Sequence, residues 1–97
     1  MTRTSIALLL GALTWAAPVS RAAAPIPVMI LDGESGGSYH DWQRVTPALK
    51  KMLDETGLFA VTVVTAPPPG ADFSAFNPAL ATFQAVVMNY DAPDERW

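Results

Sequence analysis

Apolar and polar positions alternate in blocks along this chain. Val28, Met29, Ile30 and Leu31 form an unbroken apolar run that stops at Asp32. Such a run is expected of a strand buried on both faces of a parallel sheet. Pro25–Pro27 is a stiff lead-in to it. From Val45 onward the spacing becomes helical: Val45, Leu49, Met52 and Leu53 share one side, and Lys50, Lys51, Asp54 and Glu55 cover the other. Lys50/Asp54 and Lys51/Glu55 lie four apart, the separation at which helical side chains meet. Gly57 is a natural C-terminal stop. Two starts fit this helix. Thr46 can be its N-cap with Pro47 at the first helical position, or the first turn begins near Asp41 with Pro47 inside.

Leu58–Thr65 (LFAVTVVT) is rich in β-branched residues and predicts a second strand, closed by Ala66–Gly70 (APPPG). In Asp72–Phe83 the spacing of Phe73, Phe76, Leu80 and Phe83 predicts a short irregular helix interrupted at Asn77–Pro78. Its aromatic residues are expected to pack on the sheet. Ala85–Tyr90 (AVVMNY) predicts a third buried strand, after which Asn89, Tyr90 and Asp91 open a polar loop. Strand, helix, strand, short helix, strand implies parallel pairing with right-handed crossovers. Ligands of such open sheets bind beyond the carboxyl ends of the strands, where the strand order switches. Loops 32–41, 66–70 and 89–94 leave those ends. Asp32, Ser35, His40, Asp41, Asn89 and Asp91 are therefore expected around one crevice.

Composition changes this picture at the N-terminus. Arg3, the apolar stretch from Ile6 to Ala17, and the small residues Ser20 and Ala22 have the order of a secretory leader, with cleavage after Ala22. The apolar core is too short to span a bilayer comfortably, so no stable membrane insertion is expected after cleavage, and the location is secreted or periplasmic. Loss of Arg3 and Arg21 leaves four basic and nine acidic residues, a formal charge of −5. That balance argues against nucleic acid, whose phosphates need a basic face. There is no cysteine, hence no disulfide, thiolate metal site or cysteine nucleophile. The remaining chain, about 75 residues, buries a marginal core without staples. It ends in Asp91–Trp97 (DAPDERW), which reads as a loop in mid-course. We therefore expect residues 23–97 to be the first part of a larger domain.

The candidate chemistry lies mainly in Val28–Trp42. Gly33-Glu34-Ser35-Gly36-Gly37 fits G-x-S-x-G, the nucleophile elbow of serine hydrolases. An elbow turns directly from strand into helix, however, and its histidine follows an acid later in the chain. Here the helix is delayed, and His40 is the only histidine. A hydrolase using Ser35 is thus the less favoured alternative. Neither G-x-G-x-x-G nor G-x-x-x-x-G-K-[ST] occurs. The glycines suit a tight turn, and the backbone amides of Gly36, Gly37 and Ser38 can also cradle an anion or a sugar hydroxyl. His40 beside Asp41 can serve as a general base or polar anchor, or simply cap the helix. One histidine and scattered acids are a thin metal set, and no metal or other cofactor is expected. Trp42 and Tyr90 can stack on a sugar face or pack on the sheet.

The segments VMILDGESGGSYHDWQ, TPALKKMLDETGLF, VTAPPPGADF and VVMNYDAP together resemble the N-terminal part of exported ThuA-like (trehalose-utilisation-like) domain proteins. The resemblance runs from Val28 to Asp94. It implies an α/β fold of the flavodoxin-like, class I glutamine amidotransferase-like type: a three-layer parallel sheet, here incomplete at about three βα units, with strand order 2-1-3. It also implies a small-molecule carbohydrate partner, trehalose or a keto-sugar. The amidotransferase relatives use a cysteine, which this chain lacks, so that activity is not carried over. By the resemblance, His40 and Asp41 with the Gly36/Gly37 turn match the family's strand-one loop, and Asn89 the end of its third strand. The resulting expectation is His40 and Asp41 as catalytic residues, with Asp32, Gly36, Gly37, Asn89 and Asp91 binding substrate. The alternative is a sugar- or anion-binding module without catalysis. Oligomeric state is not legible.

Overall fold

The computed structural model describes residues 11–17, 23–34, 37 and 39–96. Residues 11–17 are exposed and carry no regular secondary structure. The expected cleavage position, along with Ser35, Gly36 and Ser38, lies outside the described residues.

Three strands, β1 (Ile26–Asp32), β2 (Phe59–Thr65) and β3 (Ala85–Met88), form one parallel sheet in the order β2-β1-β3. The apolar run sits in the central strand. Val28, Met29, Ile30 and Leu31 are buried and, with Ala66, make up the buried apolar core. β1 is longer than that run. Ile26 and Pro27 already pair with Phe59 and Ala60, and Asp32 pairs with Thr65. Pro27 is tolerated near the strand start because pairing with β3 begins only at Val28. Its carbonyl still accepts the Gln84 N–H at 2.9 Å.

The helix α1 spans Trp42–Glu55 with Pro47 inside it, so the earlier of the two starts is the one adopted. Thr46 is a buried residue of its second turn and not its cap. The Asp41 carbonyl accepts the N–H groups of Arg44 and Val45 at 3.1 and 2.9 Å. Trp42, Val45, Thr46, Leu49 and Leu53 form the covered stripe, and α1 packs on β1 and β2. Met52, expected on that stripe, is 66% exposed. The two predicted i,i+4 ion pairs, Lys50–Asp54 and Lys51–Glu55, are both made. Gly57 follows the helix at φ +68°, the left-handed conformation its position required.

The connection from β2 to β3 crosses to the other side of β1. Right-handed crossovers then put it on the face opposite α1, which is why β1 is buried on both faces. The irregular helix expected over 72–83 reduces to a turn at Ser74–Ala75 and a 3-10 turn at Leu80–Thr82. Phe73, Phe76 and Phe83 are half-buried, and the rings of Phe73 and Phe76 meet edge to face, 6.0 Å apart. β3 stops at Met88, so Asn89 and Tyr90 belong to the loop. Among the described residues, no helix is long and apolar enough to cross a membrane. The three-stranded parallel sheet with α1 on one face is part of a flavodoxin-like arrangement.

Candidate functional site

In the order β2-β1-β3 the chain leaves β1 toward one side and later returns to the other, so the switch point lies between β1 and β3. The loops at their carboxyl ends are joined there by backbone hydrogen bonds. Asn89 N–H donates to the Leu31 carbonyl at 2.9 Å, and Asp91 N–H donates to the Glu34 carbonyl at 2.9 Å. The side chains reinforce this. Arg96 donates from Nε and Nη2 to the two Glu34 carboxylate oxygens at 3.0 and 2.8 Å.

Gly33 allows β1 to leave the sheet. Its φ is +129°, and a Cβ there would lie 2.7 Å from both the backbone N and O of Ala66. A side chain does not fit between the two backbones. Ala66 in turn donates its N–H to the Asp32 carbonyl at 2.7 Å. This glycine serves a close backbone approach. Nine residues then separate β1 from α1, so the strand does not turn directly into a helix as a nucleophile elbow does.

A cleft of about 340 Å³ opens at the switch point, lined by His40, Met88, Asn89, Tyr90 and Asp91. His40 comes from the β1 loop and the other four from β3 and its loop. The His40 backbone N–H donates to the Gly37 carbonyl at 3.3 Å. His40, Asn89 and Asp91 thus share one cleft although they lie far apart in sequence. Asp41 and Gly37 are exposed and are not among the lining residues. The Asp41 side chain makes no cap hydrogen bond. Gly36 lies outside the described residues.

Asp32 sits behind the cleft, 1% exposed. Its Oδ2 accepts the Thr46 hydroxyl at 2.6 Å. Thr46 Oγ1 accepts in turn from Asn89 Nδ2 at 2.9 Å. The ends of two strands and the second turn of α1 therefore meet in one polar chain, buried at Asp32 and Thr46 and half-buried at Asn89. Asp32 Oδ1 is buried and receives no hydrogen bond among the described residues. Sequence reasoning took Thr46 as a possible cap and missed this position. The available signal was the four-residue interval from Trp42, which places Thr46 on the covered side of any helix that starts early. Among the described residues, no group of three His, Cys, Asp or Glu side chains is arranged to hold a metal ion.

The chain is similar to a solved structure described as a ThuA-like protein from Parabacteroides merdae ATCC 43184. The match has 31% sequence identity and a TM-score of 0.66, and it covers 72% of this chain and 24% of that one. This chain thus spans about a quarter of that relative's length. No family model and no curated protein matched the chain.

Proposed function

The chain belongs to the ThuA-like domain family, and from that premise we propose that it binds a small carbohydrate in the cleft at the β1/β3 switch point. The observation that carries this reading is the convergence of His40, Asn89, Tyr90 and Asp91 on one cleft. A carboxylate accepts, a carboxamide both donates and accepts, and an imidazole can do either, which suits a ring of hydroxyl groups. The volume lies at the lower end of the roughly 300–1,000 Å³ range of small-molecule pockets. Export is part of the same proposal, supported by the leader-like order of residues 1–22.

In the catalytic form of this reading, His40 is a general base or polar anchor, and Asn89 and Asp91 hold hydroxyl groups. Asp32 acts through Thr46 and Asn89. A binding module without turnover is the second reading. It is favoured by the cleft lining, which has His40 but not Asp41, the other residue expected to be catalytic. The test is His40→Ala in the full chain, assayed on a panel of keto-sugars and disaccharides by turnover and calorimetry. Loss of turnover with binding retained supports the catalytic form. Binding without turnover in the unsubstituted chain supports the module. No binding of any panel member overturns both.

A further inference from the structure

We propose that the buried chain Asp32–Thr46–Asn89 sets the hydrogen-bond polarity of the cleft: Asn89 offers its carboxamide oxygen, and the site takes a ligand group that donates, a hydroxyl, over one that only accepts. The ligand class rests on the carbohydrate reading above. The polarity rests on side-chain geometry alone.

The argument runs outward from β1. An Asp32 carboxylate has no proton to give, so a hydroxyl beside it must donate. Thr46, 6% exposed, has one hydroxyl proton, and at 2.6 Å it is committed to Asp32 Oδ2. This bond to a buried carboxylate is costly to release. Thr46 Oγ1 is left with lone pairs only. Whatever group of Asn89 stands 2.9 Å from it must be a donor, which is Nδ2. The carboxamide rotated by a half-turn would set Oδ1 against Oγ1, two acceptors with no proton between them. Its orientation therefore follows from the network, independently of how oxygen and nitrogen are told apart.

The consequence reaches the ligand. Asn89 lines the cleft, and with one of its two Nδ2 protons on Thr46 its Oδ1, on the other side of the carboxamide, is the acceptor it offers a bound molecule. A sugar hydroxyl at that point donates to it. A ketone or a fluorine at the same ring position meets lone pairs with lone pairs. Thr46 is thus a positioning residue: it makes no contact with the ligand and acts through Asn89. Replacing Thr46 with Val removes the oxygen that holds Asn89 Nδ2. The carboxamide is then free to turn over, and the acceptor is no longer fixed in the cleft.

Two measurements on the isotope-labelled full chain test this. The first needs no ligand. An NOE from the Asn89 side-chain amide protons to the Thr46 side chain is expected in the unsubstituted chain and in Thr46→Ser. It should be lost in Thr46→Val, where nothing holds Nδ2 in place. Absence of this NOE in a folded unsubstituted chain overturns the relay. The second uses methyl glucoside and its single deoxy-fluoro analogues. At one ring position fluorine should weaken binding about tenfold or more in the unsubstituted chain and in Thr46→Ser, the size of one lost buried hydrogen bond. That difference should vanish in Thr46→Val. If the glucoside binds and fluorine is tolerated everywhere, the polarity proposal fails while the carbohydrate reading stands. If no sugar binds, the ligand class fails with that reading, and the NOE alone decides the relay. Thr46→Ser keeps the test usable should Thr46→Val fail to fold.

Discussion

Arg96 grips Glu34 side-on, with Nε and Nη2 each on a separate carboxylate oxygen, although the two residues are 62 positions apart. Their side chains are only 26% and 13% exposed. The guanidinium also lies 5.9 Å from the centre of the Phe73 ring. With the Asp91 N–H on the Glu34 carbonyl, this fork fastens the loop after β3 to the loop after β1, and both loops line the cleft. The Glu34 bond raises the pKa of Arg96 above its ordinary value, against the opposing effect of desolvation.

Because the fork is bidentate, Arg96→Lys should not preserve it; a lysine supplies a point charge without the planar pair of donors. We expect Arg96→Lys and Glu34→Gln each to lower the urea midpoint. Both should also speed hydrogen exchange at the Asp91 amide relative to the β1 amides. Unchanged Asp91 protection in both variants would show that the fork does not fasten the loop.

Gly33→Ala tests the close approach of β1 to Ala66. The added Cβ meets backbone atoms at 2.7 Å, and neither partner is a flexible side chain that can move aside. The backbone conformation is also one that L-residues avoid. A loss of about 1–3 kcal/mol is expected from the strained backbone alone, with the contact adding to it. Equilibrium denaturation measures it, and a loss under about 0.5 kcal/mol would contradict this account.

Thr46→Val is nearly isosteric but removes the hydroxyl that donates to the buried Asp32 carboxylate. Leaving a buried acceptor unpaired costs about 1–3 kcal/mol, more for a charged group. The double variant Asp32→Leu/Thr46→Val removes both partners and should recover part of that loss. Additive losses in the double-mutant cycle would mean that the two side chains are not coupled.

Asp72 accepts the backbone N–H of Ser74 at 2.9 Å. This bond and a second from the Ser74 side chain hold its pKa below the ordinary value, against a small opposing effect of burial. A depressed carboxyl contributes stability that is present above the unfolded pKa and is lost as pH falls through the folded one. Asp72→Ala should therefore destabilise the chain at neutral pH and converge with the parent at low pH. A difference that persists unchanged into acid would contradict the assignment.

The misreadings have physical reasons. Periodicity placed Met52 beside Leu49 and Leu53 on one helical side, yet Met52 is 66% exposed and the covered stripe runs through Trp42, Val45, Thr46, Leu49 and Leu53. Spacing defines a side of a helix, but the sheet it meets decides how much of that side is covered. Thr46-Pro47 resembled a helix start because both residues favour that position. The earlier start gained burial of Trp42 and Val45 and the Thr46 bond to Asp32, which together outweighed a proline in the sixth helical position. Phe73, Phe76, Leu80 and Phe83 suited helical spacing, but the prolines around them left only single turns.

By itself the sequence determined the local order: a continuous apolar run for the central strand, β-branched runs for its neighbours, charge pairs four apart on α1, and glycine where the chain takes a positive φ. These depend on near neighbours, so they can be read along the chain. The convergence of His40, Asn89 and Asp91 was legible as topology, because parallel strands put their loops at one edge. Only the tertiary structure decided that Asp32 and Asn89 are joined through Thr46, that Glu34 takes Arg96, and that Asp41 is not among the residues lining the cleft. Those relationships are set by the β2-β1-β3 register and by the rotation of α1 on the sheet, and hydrogen bonds with donor–acceptor distances near 3 Å have no trace in a one-dimensional pattern.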